Sequence, residues 1–286
     1  MSQTPKKFDN QGIVTYYHRT NWFYKRFWNL DQSMGMHFGF WDQSTKNLQE
    51  AVIHQNERMA NLLNIQREYK MLDAVCGVGG SSIYIAKHYG CNVTGITITP
   101  KQIISANEYA KKEGVENKVE FLEMDFISTR FKDASFDVVW AIESVCHAAD
   151  KKEFIKEAFR LLKPGGRLIV ADYFPTKNEY TNDEYKLVYT DGINGWAVSE
   201  LCDEKEFTEF SHTIGFKKHQ FHNMNKEVEP TANIILNKKH WLPLAWVYYK
   251  LGFITDTEYH NAFGSYNFSK AFKSSLWNYM VFVAEK

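Results

Sequence analysis

Residues 70–82, KMLDAVCGVGGSS, place an acid inside a short apolar run that then breaks into glycines. The run reads as a strand and the break as a turn into a helix. At such a junction backbone N–H groups converge, the helix dipole is positive, and glycines let a ligand approach the backbone. The pair Gly77-x-Gly79 is a weak signal alone, because tight strand–helix turns also use glycine for packing. Asp73, inside the strand, can pair with an ammonium group or hold the turn by accepting N–H bonds. A dinucleotide fold would place a third glycine at position 82 and a ribose-binding acid about twenty residues on. Ser82 and Thr97 stand there instead.

Outward from this turn, residues 67–175 alternate β-branched runs with amphipathic helices. The runs are KMLDAV, CNVTGITI, KVEFLEM, FDVVWAI and GRLIVADYF; SSIYIAKHYG, PKQIISANEYAKKEG and DKKEFIKEAFRLLK lie between them. This alternation implies parallel βαβ units. Thr99-Pro100 reads as an N-cap with proline at the first helical position, and Lys163-Pro164-Gly165-Gly166 as a helix end and tight turn. Further on, DEKEFTEFSHTIG reads as a helix, and GFKKHQFH and WNYMVFVAE as two more strands. Residues 1–66 carry the aromatic cluster TYYHRTNWFYKRFW, then SMGMHFGFW, then a helix from about Leu48 to Leu63. The expected organisation is an N-terminal helical cap over 1–66 and a core over 67–286, with a substrate-cap insertion at about 223–275.

The chain has 286 residues, 44% of them apolar, with 34 basic and 34 acidic side chains and no block of like charge. That balance argues against nucleic acid held through its phosphates. Cys76, Cys91, Cys146 and Cys202 show no pairing pattern and read as free thiols. The polar start MSQTPKKFDN has no apolar signal region and no run is long enough to span a membrane, so the expected location is cytoplasmic. No cluster of His, Cys and Asp has metal-ligand spacing, so no metal is expected.

An acid–aromatic pair, Asp125-Phe126, follows the third strand, where a carboxylate can accept from an adenine amine and a ring can stack on the base. Here the chain resembles class I S-adenosylmethionine-dependent methyltransferases, within the group of tocopherol and sterol C-methyltransferases and cyclopropane fatty acid synthases. The resemblance rests on LDAVCGVGGSS, VTGITITPKQ, EMDF, FDVVWAIESVCHAADK and LLKPGGRLIVADYF, with SMGMHFGFWD ahead of them. It implies a Rossmann-like, seven-stranded, mostly parallel α/β sheet with flanking helices and an aromatic-rich helical cap. The implied cofactor is S-adenosyl-L-methionine. Gly77 and Gly79 would pass under it, and Asp73 would lie near the methionine amine. Thr97 and Gln102 would contact ribose or adenosine, Asp125 and Phe126 would bracket the adenine, and the segment near His37 and Phe38 would close over the site. Glu143 and His147, in IESVCHAAD, match an E-x-x-x-H pattern of the resembling sterol enzymes and are the catalytic candidates. One departure is Val75, where the family usually has glycine; its side chain would narrow the cleft.

A sulfonium methyl is already electrophilic, so the protein need only align a nucleophile and manage charge. Methylation of an alkene leaves a carbocation, which aromatic faces tolerate and a base resolves. The aromatic segments suit this as a wall around a hydrophobic small molecule (terpenoid, prenyl, sterol or lipid-like), methylated at carbon. Tyr17, Trp22, Tyr24 and Trp246 are the wall candidates; the same rings also fit plain helix packing. WLPLAWVYYKLGF is suited to a transient membrane-surface contact. The alternatives are O- or N-methylation of a small aromatic or alkaloid-like acceptor, a nicotinamide-linked oxidoreductase, or a non-catalytic cofactor-binding protein. Oligomeric state is open.

Overall fold

The computed structural model describes residues 7–286; residues 1–6, the start of the polar stretch MSQTPKKFDN, lie outside the described residues. One seven-stranded sheet runs in the order β3-β2-β1-β4-β5-β7-β6. Its strands are β1 (Lys70–Asp73), β2 (Asn92–Thr97), β3 (Val119–Glu123), β4 (Phe136–Ile142), β5 (Leu162–Pro175), β6 (Lys217–Asn223) and β7 (Trp277–Glu285). β1 to β5 are parallel, and β7 runs antiparallel to both β5 and β6. This is the expected seven-stranded, mostly parallel sheet.

The helices before the sheet are α1 (Asn10–Phe27), α2 (Leu30–Ser33) and α3 (Leu48–Leu63); α4 (Gly80–Tyr89), α5 (Pro100–Lys112) and α6 (Lys151–Leu161) are the crossovers. Then come α7 (Asn182–Tyr185), α8 (Glu204–Ile214), α9 (Asn225–Asn237), α10 (Leu242–Lys250) and α11 (Asp256–Lys273). Alternate residues of β4 separate two cores, as the period of a strand requires. Val138 and Trp140 join Met59, Leu63, Ile83 and Ala106 of α3, α4 and α5. Val139 and Ala141 join Phe154, Ile155 and Phe207 of α6 and α8. Both faces are covered, which is why the central strands read as near-continuous apolar runs.

Lys163-Pro164-Gly165-Gly166 differs from its sequence reading. α6 stops at Leu161 and β5 begins at once at Leu162. The pairing with β4 slips between Phe136 and Val138, with Gly165 at φ 76, so the glycines form a bulge inside the strand.

β1 lies between β2 and β4, so the chain leaves the sheet centre in opposite directions on its two sides. Such a switch point opens a crevice at the carboxyl ends of the strands. Asp73 ends β1, Thr97 ends β2, Asp125 follows β3 and Glu143 follows β4, so all four gather along that edge.

Candidate functional site

At the glycine turn, Asp73 is buried and accepts a 2.7 Å bond from Ser82 Oγ. Burial, opposed by the bonds to Ser82, pushes its pKa up to about 7. The acid thus ties the end of β1 to the first turn of α4. Both glycines have positive φ, 52 for Gly77 and 86 for Gly79, but they do different work. A Cβ on Gly77 would meet only Met36 Cε, at 3.2 Å, and Gly77 lines a cavity. A Cβ on Gly79 would lie 2.7 Å from Phe121 Cζ and 3.0 Å from Ala106 Cβ. Gly79 makes room for the core, and of the two glycines only Gly77 lines one of the three cavities of the crevice.

Three adjoining cavities fill the crevice. The largest, about 460 Å³, is lined by Thr97, Thr99, Gln102, Asp125 and Phe126, and by Phe8 and Ile13 from the N-terminal segment. Thr97 Oγ1 donates to Gln102 Oε1 at 2.7 Å, which leaves the Gln102 amide nitrogen as its donor group. Asp125 accepts from Ile127 N–H at 3.0 Å and from Asn10 Nδ2 at 2.7 Å, so α1 is latched over the cleft. Phe126 packs edge-on against Phe154, 5.5 Å between centroids. The second cavity, about 60 Å³, is lined by His37, Asp73, Gly77 and Ser144. The third, about 40 Å³, is walled by Tyr16, Tyr24, Trp28, Phe38, Tyr173 and Trp196. Tyr17 borders all three cavities. Val75 stands between the first and second, and Glu143 between the second and third.

Glu143 is held by groups from distant parts of the chain. Phe38 N–H and Tyr279 OH each donate to Oε1 at 2.8 Å, and Tyr173 OH donates to Oε2. Burial pushes its pKa up to about 8, against these three bonds. Burial also raises Tyr173 and Tyr279, so both phenols stay protonated and donate. His37 does not touch the acid directly. Its Nδ1 donates to Gln55 Oε1 at 2.6 Å, and Gln55 Nε2 donates to Tyr279 OH at 2.7 Å. His147 Nδ1 lies 3.1 Å from Ala197 O and must donate to it, so Nε2 accepts from Tyr17 OH at 3.0 Å. Burial lowers both histidines to about 4, which keeps both rings neutral at pH 7.

Trp22 and Trp246 line none of these cavities. Trp22 is 47% exposed and donates to Glu258, and Trp246 is 50% exposed on a helix that buries nothing. Phe38 is buried among Tyr173, Trp277 and Tyr279, and its backbone, rather than its ring, serves Glu143. Tyr16 and Trp28 of the aromatic cluster join the wall, which also contains residues not singled out in the sequence: Asn10, Tyr173, Trp196 and Asn261. Where the aromatic segments suggest a capacious apolar pocket, the structure has a small chamber of about 40 Å³. A broader concavity of about 670 Å³ lies at Pro175–Glu209, but it is open, polar and away from the switch point.

A family profile described as "Methyltransferase domain" matches residues 72–170. Norajmaline N-methyltransferase of Rauvolfia serpentina is 31% identical over 211 residues, covering 69% of this chain and 71% of the relative. This chain belongs to the class I S-adenosylmethionine-dependent methyltransferases. The 27-O-demethylrifamycin SV methyltransferase of Amycolatopsis mediterranei is 40% identical over 146 residues, 50% of this chain and 54% of the relative. Sterol 24-C-methyltransferase ERG6A of Gibberella zeae is 37% identical over 170 residues, 59% of this chain and 44% of the relative. The chain spans about half the length of these first curated relatives. Among solved structures, the cyclopropane synthase MmaA2 from Mycobacterium tuberculosis has a TM-score of 0.79 at 16% identity, covering 98% of this chain and 99% of that one. Geranyl diphosphate C-methyltransferase from Streptomyces coelicolor has 0.75 at 16%, covering 96% and 97%. At that identity these two carry the fold alone.

The family's cofactor is S-adenosylmethionine, and the cavities fit it. The cleft has the volume of a small-molecule site. Thr99 Oγ1 and Ser144 Oγ, on residues lining the first and second cavities, are buried without a hydrogen-bond partner. Gly77 leaves a space that a Cβ would fill. Val75 borders both cavities, and the larger keeps about 460 Å³ beside it.

Proposed function

We propose that this methyltransferase acts on a hydrophobic small molecule, terpenoid, prenyl, sterol or lipid-like, and methylates it at a carbon that becomes cationic. The observation that carries this reading is one carboxylic acid, Glu143, facing a chamber walled mainly by aromatic rings. Thr97, Gln102, Asp125 and Phe126 would hold the nucleoside, and Asp73, Gly77 and His37 the methionine end. When bound, the cofactor supplies an electrophilic methyl group whose sulfur keeps the bonding electrons as the new bond forms. Glu143 borders both cavities, so it faces the cofactor's reactive end and the acceptor together. A cation nearby lowers its pKa and favours the carboxylate. Tyr173, Phe38 and Tyr279 donate to that carboxylate, and it then takes the proton lost by the methylated carbon. The faces of Tyr17, Tyr173 and Trp196 stabilise positive charge. His147 holds the Tyr17 hydroxyl. Residues 7–66 and about 223–275 serve as the cap.

A second reading, methylation of an amine, has its own support. Asn261 borders the chamber, and its buried Oδ1 has no hydrogen-bond partner. An N–H group on the acceptor would satisfy it. Labelled cofactor offered with prenyl, sterol, fatty and alkaloid-like acceptors tests both, with the methylated atom located by NMR. The expected product carries the label on carbon. Label on nitrogen selects the second reading, and cofactor binding with no acceptor labelled favours a non-catalytic binder.

A further inference from the structure

Helix α10, LPLAWVYYK, is apolar almost all round and buries none of its residues. A helix of that composition belongs in a core or against an apolar surface. Its flanks extend the exposure: Trp241 is 58% exposed, Leu251 64% and Phe253 73%. The end of α1 joins the same face. Phe27 is exposed, and the Lys238 ammonium lies 5.2 Å from its ring centroid. Trp22, also exposed, reaches Glu258 at the start of α11.

Charge identifies the partner. Arg26 lies close to Lys238, Lys239 follows it in the chain, and Lys250 folds over the rings of α10, while the carboxylates at this end, Asp256 and Glu258, accept from Tyr249 and Trp22 on the side of α11. None of the four basic groups forms an ion pair among the described residues. Lys250 folds over the rings of Trp246 and Tyr249, keeping its charge beside the apolar surface. Aromatic rings with lysines at their margin match the boundary of an anionic bilayer, where rings sit among headgroups and ammonium groups meet phosphates. A second copy fits less well, because a two-fold contact would bring the basic margins together.

We propose that α10, its flanking residues and the end of α1 form a docking face for anionic lipid membranes. The helices behind that face wall the chamber: α1 supplies Tyr16, Tyr17 and Tyr24, and α11 supplies Asn261. Docking would set the chamber's cap at the lipid boundary. The docking does not depend on which atom is methylated.

The test is flotation of the full chain with phosphatidylcholine vesicles, with and without phosphatidylserine, at low and high salt. The expected result is binding to phosphatidylserine vesicles that weakens as salt screens the lysines. A triple variant, Trp241→Ser with Leu251→Ser and Phe253→Ser, should bind about tenfold more weakly, since each loses buried apolar area at the membrane. Calorimetry with S-adenosylmethionine shows whether that variant is folded. A second variant, Lys238→Gln with Lys239→Gln, should flatten the salt dependence. Absence of vesicle binding, or equal binding by wild type and both variants, overturns the proposal. So does a wild-type dimer that the triple variant turns into monomer without vesicle binding.

Discussion

Glu143 takes a left-handed backbone conformation, φ 45, which for a non-glycine residue costs about 1–2 kcal/mol. Its N–H bond to Ala171 O, 2.8 Å, and the three bonds to its carboxyl hold it there. Its protonation should show in stability. Glu143 rises from 4.5 to about 8 on folding, and Asp73 from 3.8 to about 7. Their contribution is full below the unfolded values and is lost as pH rises through the folded ones. His37 and His147 fall from 6.5 to about 4, so they lower stability as pH drops between those values. Above about pH 6.5 the two acids dominate this set, and the melting temperature of the ligand-free protein should decline toward about pH 8.5. Glu143→Gln should remove part of that decline; parallel melting curves for wild type and variant would show that the acid titrates normally. At the glycines, Gly79→Val should unfold the protein by striking Phe121 and Ala106. Gly77→Ala should leave it folded and weaken the cofactor, a contrast that melting curves and calorimetry separate.

At the scale of elements, α1 decides access. Asn10 to Asp125, Asn261 to Tyr16 (2.5 Å) and Trp22 to Glu258 fasten it over cleft and chamber. A chamber of about 40 Å³ admits a many-atom acceptor only when α1 or its neighbours shift. Asn10→Ala should loosen the latch and raise the S-adenosylmethionine dissociation constant about threefold to tenfold by calorimetry, the loss of one bond to a charged group. Unchanged affinity would make the latch incidental. The parallel strands were legible because each apolar run is followed by an amphipathic helix with clear punctuation. The aromatic segments were not. α10 is apolar on nearly every side, so WLPLAWVYYKLGF fitted a substrate wall as well as a membrane-surface contact, and its composition alone did not choose between inward and outward. Tyr173 and Tyr279 were equally hidden, since they reach Glu143 from 30 and 136 residues away.

Over the whole molecule, the switch point of the sheet joins the cofactor cleft to the acceptor chamber, with Glu143 where they meet. Its motif at the end of β4 was readable because strand ends carry the site in this architecture. The substrate was not readable, because its wall is assembled from α1, β5 and α11, which only folding brings together. The most direct test is transfer of labelled methyl to the best acceptor by wild type and Glu143→Gln, with cofactor affinity measured on both. The variant should bind S-adenosylmethionine nearly as wild type does, while kcat falls about 100-fold or more, the scale of a lost general base. Wild-type turnover should rise with pH as Glu143 ionises, and the variant's residual rate should stay flat. An unchanged kcat, or a loss that lies wholly in cofactor affinity, would remove Glu143 from the proton transfer.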